Sequence, residues 1–160
     1  MFVSSVRRHY EQVNSFPEGF FLVIGDALCT FNPIYAQGMS AAAKQAKILQ
    51  DILSEYAEQS RPVSGIASAF FPKAAEFNST PWHLAAGFDF AFPQTRGTRP
   101  PGTEERARYL ATLDALQADD AEIRHLMTEV FHLLQPLSAL QQEPLRSRVL
   151  GQMARGARPG

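Results

Sequence analysis

The segment that most restricts this chain is an apolar run, Phe20 to Ile24, which stops at Gly25-Asp26 and is followed by a loop and an alanine-rich stretch. Five consecutive apolar residues with no polar alternation are expected of a strand covered on both faces, not of one with a solvated side. A strand of that kind cannot stand alone, and the rest of the chain scarcely supplies partners for it. The remaining residues read as helix after helix, so the sequence predicts a mainly α chain with one buried strand near its front.

Met39 to Glu58 contains neither Gly nor Pro. Ala42, Ala46, Leu49, Leu53 and Tyr56 recur there at helical spacing, which predicts a long helix with an inward stripe. Its first turns carry Ser40, Ala41, Ala42 and Ala43, small enough to let another backbone or a ligand come close. Before the strand, Val6, Tyr10 and Val13 alternate with charged residues and predict a short amphipathic helix.

After residue 60 the reading is helical throughout. Val63 to Phe77 should kink or split at about Phe71, because Pro72 lacks the amide that a helix interior needs. Pro81 should open a new short helix capped by Thr80. Phe88 to Arg99 reads as an extended piece and a loop, and helices are expected at 103–117, 119–135 and about 143–154, with Asp119-Asp120 at the positive end of the second of these. The expected division is 1–60, holding the strand, the Gly-Asp loop and the long helix, and 61–160, a helical region packing on it.

A formal net charge of -1 over 160 residues and the lack of a long basic cluster leave a nucleic-acid partner without an electrostatic footprint. The arginines at the two ends, Arg7-Arg8 and Arg146 to Arg158, read as solvated. Cys29 is the only cysteine, which excludes an intrachain disulfide and fits a reducing, cytoplasmic setting. No stretch reaches the roughly 20 apolar residues of a membrane-spanning helix, and a membrane-surface role lacks a basic amphipathic helix.

Asp26 beside Gly25 can accept hydrogen bonds from the hydroxyls of a polyol, and glycine there leaves the approach open. Across the loop, the amides of Gly38, Met39 and Ser40 open a helix, so they present unsatisfied donors and the positive end of the dipole. One end suits hydroxyls, and the other suits negative charge.

This arrangement resembles the second flavin-binding motif of the aromatic-hydroxylase family of FAD-dependent monooxygenases, the para-hydroxybenzoate hydroxylase-like group. There an apolar strand leads into Gly-Asp-Ala, a loop with a proline, then Gly-x-Gly-x-Asn and small residues entering a long helix. Gly25, Asp26, Ala27, Pro33, Gly38 and the alanines from Ala41 agree in identity and order; Ala36 and Ser40 stand where the family often has Gly and Asn. The likeness is densest from Gly19 to Leu53 and looser to about Leu140.

The resemblance implies that Asp26 holds a ribityl hydroxyl of FAD, that Pro33 lies beside the ring system, and that Gly38 and Met39 offer amides to its pyrimidine end. Gly25, Ala27, Gln37 and Ser40 complete the implied cofactor-binding set. It further implies the carboxyl-terminal portion of an α/β, Rossmann-like FAD-binding fold. NADH or NADPH would reduce the flavin, and an apolar or aromatic small molecule would be hydroxylated or epoxidised. The Gly-x-Gly-x-x-Gly turn that cradles the pyrophosphate in such enzymes does not occur in this sequence, which would leave the chain inactive alone or dependent on the missing amino-terminal half or on a homo-oligomer.

The rival readings are a non-enzymatic helical module that complements another chain, and a flavin or quinone carrier without turnover. No side chain is assigned as a catalytic acid or base. Phe70, Phe71, Phe77, Trp82, Phe88, Phe90 and Phe92 form an aromatic-rich region that serves as core or as the substrate side. Cys29 has no histidine nearby in sequence and reads as a buried small thiol. His125, Glu129 and His132 share a helix face, but Ile123, Leu126, Met127, Val130 and Leu134 occupy the opposite one, so the trio reads as the solvated side and no metal is expected.

Overall fold

The computed structural model describes residues 5–16 and 22–156. Among them the chain is mainly α, with five α-helices and a single two-stranded sheet. It divides into two compact units, Met1–Trp82 and His83–Gly160.

In the first unit, β1 (Val6–Arg7) pairs antiparallel with β2 (Cys29–Thr30), Val6 opposite Thr30 and Arg7 opposite Cys29. The amphipathic helix expected at the front is therefore replaced by this strand and a single 3-10 turn at Tyr10–Gln12. Arg7 is held in place by distant partners rather than solvated. Its guanidinium donates to the Ala75 carbonyl at 2.8 Å and to Ser79 Oγ at 3.3 Å. Arg8 donates to the Ala27 carbonyl at 3.0 Å.

The apolar run is also corrected. Phe20 and Phe21 lie outside the described residues, and Leu22 to Ile24 belong to no strand. Leu22 and Val23 instead lay their side chains on the first core, so they cover a helical layer and not a sheet. That core joins Leu28, Ile52, Tyr56, Ile66, Phe70 and Phe71, with Tyr10 stacked on Phe71 at 5.0 Å between ring centroids.

Helix α1 (Gly38–Glu58) matches the sequence expectation to within a residue, but its buried face comprises Ala41, Gln45, Ile52 and Tyr56. Helix α2 (Ile66–Asp89) runs unbroken through Pro72 and Pro81, where the sequence predicts a break and a fresh start. Each proline removes one backbone hydrogen bond, while Phe70, Phe71 and Ala74 on one side of Asn78 and Leu84 and Ala85 on the other are all buried to within 2%. Tertiary packing of that apolar face supplies most of a protein helix's stability and outweighs the local penalty.

The second unit contains α3 (Thr103–Leu116), α4 (Ala121–Phe131) and α5 (Leu145–Gly156). Asp120 caps α4 by accepting from the amides of Glu122 and Ile123 and also pairs with Arg148 of α5. This makes Arg148 a structural residue. Leu84, Leu113, Met127, Val130, Leu140 and Val149 form the second core, and the Tyr109 hydroxyl donates across it to the Leu140 carbonyl at 2.7 Å.

Candidate functional site

Gly25, Asp26 and Ala27 form a 3-10 turn, not the end of a strand. Gly25 takes φ of +62°, the left-handed region that glycine enters at little cost. Its amide donates to Gln45 Oε1 at 2.7 Å. Gln45, fully buried, donates in turn through Nε2 to Asn78 Oδ1 at 2.9 Å, and Asn78 is 2% exposed. The Gly-Asp turn is thus clamped to α1, and through α1 to α2, by a buried polar relay of known partners at each end.

Thr30 Oγ1 donates to the Asp26 carbonyl at 2.7 Å, and the Leu28 amide closes the turn onto the Gly25 carbonyl at 2.9 Å. With its main chain fixed on both sides, Asp26 has its carboxylate directed at the mouth of α1. A Cβ built on Gly38 would come to 3.7 Å from Asp26 Oδ1. The acid is exposed, so solvent or a ligand reaches it.

The loop between these residues is a second 3-10 turn, Pro33–Tyr35, begun by Asn32, whose side chain accepts from the Ile34 amide at 3.3 Å. Ala36 then adopts φ of +53°, a left-handed conformation at the position where the resembling family often has glycine. Gln37 is buried and stands at the N-cap of α1 without a side-chain capping bond. The first helical bond is made by Ala41 to the Gln37 carbonyl at 2.9 Å, so the amides of Gly38, Met39 and Ser40 have no partner within the helix.

The structure therefore brings Gly25, Asp26, Gly38 and the α1 amides together. Pro33, Ala27, Met39 and Ser40 are exposed around them, and Met39 and Ile34 carry apolar side chains 86% and 78% exposed. Sequence reasoning missed Gln45 and Asn78, the residues that hold the turn. The available signal was Gln45 itself, which stands four residues after Ala41 and seven before Ile52 on the buried face of an otherwise alanine-rich helix.

Cys29 is 1% exposed. Burial pushes its thiol up to about 11, with Asp26 adding to the rise and Arg7 opposing it. A protonated, enclosed thiol is a poor nucleophile, in keeping with its reading as a small apolar residue. Among the described residues no group of three or more His, Cys, Asp or Glu side chains is placed to hold a metal ion. His125 lies 3.6 Å from Glu129 on an exposed face. Leu134, assigned by periodicity to the apolar face of α4, is 73% exposed, because the helix ends at Phe131.

The aromatic-rich region divides by role. Phe70 and Phe71 are core residues of the first unit. Phe88 lines a cavity of about 360 Å³ in the second unit, together with Leu84, Leu110, Met127 and Phe131. Phe92 is 62% exposed.

Comparison with protein-family models finds no match, and comparison with curated proteins finds none either. No helix among the described residues is long and apolar enough to cross a membrane.

Proposed function

We propose that the chain is the flavin-facing part of an FAD-dependent oxidoreductase, a monooxygenase acting on an apolar or aromatic small molecule with NADH or NADPH as electron donor. The observation that carries this reading is the Asp26 carboxylate directed at the open mouth of α1, 3.7 Å from the position of a Gly38 Cβ. A carboxylate accepts from polyol hydroxyls, and uncapped amides at a helix N-terminus donate to carbonyl or anionic oxygens. The donor and acceptor set is thus of the right kind for a ribityl chain at one end and a pyrimidine edge at the other.

In this reading Asp26 binds the ribityl hydroxyls, Gly25 and Gln45 fix the carboxylate's direction, and the amides of Gly38 and Met39 orient the ring. Pro33 and Ala27 form its sides, with Gln37 and Ser40 completing the helix mouth. The positive end of the α1 dipole favours negative charge placed there. The bound flavin supplies the redox and oxygen chemistry, while the protein positions it and controls solvent.

Titration of riboflavin and FAD with the full chain, followed by flavin fluorescence, tests this. Saturable quenching is expected, with Asp26→Ala weakening affinity by about tenfold or more, the usual effect of losing a hydrogen bond to a charged group. Failure of the unaltered chain to perturb flavin fluorescence, or an unchanged affinity in the variant, overturns the reading.

The exposed side chains of Ile24, Ile34 and Met39 favour a second reading, a non-enzymatic module complementing another chain that bears the Gly-rich turn. Co-expression with such a chain and gel filtration distinguishes the two. A stable complex that leaves flavin unbound supports the module, and a free monomer removes it.

A further inference from the structure

The Gly-Asp turn carries a cation on its main chain that the flavin contacts described above leave unused. Arg8 follows β1, and its amide donates to the Leu28 carbonyl at 3.0 Å. Its guanidinium lies on the turn itself: Nη1 donates to the Ala27 carbonyl at 3.0 Å and, more weakly, to the Asp26 carbonyl at 3.4 Å. Both protons of that nitrogen are thereby used. Among the described residues Nε and Nη2 make no hydrogen bond and Arg8 enters no ion pair. The side chain is exposed.

Nε and Nη2 form the edge of a guanidinium whose parallel N–H groups take two oxygens of a carboxylate or a phosphate. An arginine held at its other nitrogen by fixed carbonyls keeps that edge free and already oriented, so less side-chain entropy is lost when an anion arrives. Acids on the neighbouring segments do not claim it. Glu11 pairs with His9 at 2.7 Å, and the Asp26 carboxylate is directed at the mouth of α1.

In the flavin reading the ring lies at that mouth and the ribityl hydroxyls lie on the Asp26 carboxylate. The far end of the ribityl chain bears a phosphate in FMN and FAD and a hydroxyl in riboflavin. Arg8 is bonded to the main chain of the same residue whose side chain takes the hydroxyls. Resting on that reading, we infer that Arg8 reads the far end of the chain: its free edge takes the ribityl phosphate, and the site discriminates phosphorylated flavins from riboflavin.

The full chain is titrated with riboflavin and with FMN by flavin fluorescence, and the phosphorus NMR signal of bound FMN is followed against pH. FMN is expected to bind at least about tenfold more tightly, the margin of a charge-assisted pair, and the margin should shrink as salt screens an exposed cation. The second ionisation of the phosphate, ordinarily at about 6, should fall in the complex, because the guanidinium favours the more charged form. Arg8→Met should bring the two affinities together while riboflavin still binds. Equal affinities in the unaltered chain, a preference that survives Arg8→Met, or a phosphate that titrates in the complex as it does free overturns the proposal and leaves the flavin reading standing. Binding of neither flavin removes both. Where Arg8→Met fails to fold, the phosphorus titration on unaltered protein decides.

Discussion

The two units are organised by opposite means. In the first, an exposed turn is fixed from beneath by a buried polar relay, Gly25 to Gln45 to Asn78. In the second, a cavity is shaped by side-chain packing around Leu84, Met127 and Phe131. A polar relay specifies direction, because each hydrogen bond has an angle and each unmet partner is costly. Packing specifies volume and tolerates side-chain changes that conserve it. The first arrangement thus fixes a direction, and the second a volume.

The largest test of this contrast is Leu113→Ala in the second core. Leu113 is fully buried, and its truncation should cost about 3 kcal/mol through lost burial and a residual cavity, measured by urea denaturation. A loss below about 1 kcal/mol would mean that this unit is not held by packing density. Next, Gln45→Leu keeps the volume roughly constant but strands the Gly25 amide and the Asn78 side chain. It should cost about 2 kcal/mol or more. Added to that variant, Asn78→Ala should cost much less than it does alone, since two members of one network are not additive. Full additivity would show that the relay does not act as a unit.

The smallest effect concerns pH. The folded Cys29 thiol is raised to about 11 from an ordinary 9.0, so folding favours the protonated form. Its contribution is fully present below pH 9 and is lost as pH rises toward 11. Between pH 8 and pH 10 the unaltered chain should lose about 1 kcal/mol more stability than Cys29→Ala, by proton linkage. Parallel pH profiles for the two proteins would show that the thiol titrates normally.

Much of the helical content was legible because its signals are local. A run free of Gly and Pro fixed α1 to within a residue, and the helix expected at 119–135 with Asp119-Asp120 at its positive end corresponds to α4, which starts two residues later and ends four earlier. The face that α1 buries was less legible. Alanines say little about direction, and a buried glutamine counts as polar in any periodicity, so of the expected stripe Tyr56 is buried, while Ala42, Ala46 and Leu53 stand one position away from the buried Ala41, Gln45 and Ile52. The continuous α2 and the displaced strand share one cause, since both depend on partners far along the chain. Of the candidate site, Gly25, Asp26 and Gly38 were recognisable by residue type, and their convergence follows from Gln45 and Asn78, which only the tertiary structure reveals.

Arg7 joins its short strand to carbonyl and hydroxyl groups 68 and 72 residues further on. A ribosome adding on the order of ten residues per second leaves that arginine waiting for several seconds before its acceptors are made. Through this interval Arg7 has its pairing with Cys29 within reach but not its two contacts on α2. Completion of the first unit is therefore timed by the translation of α2.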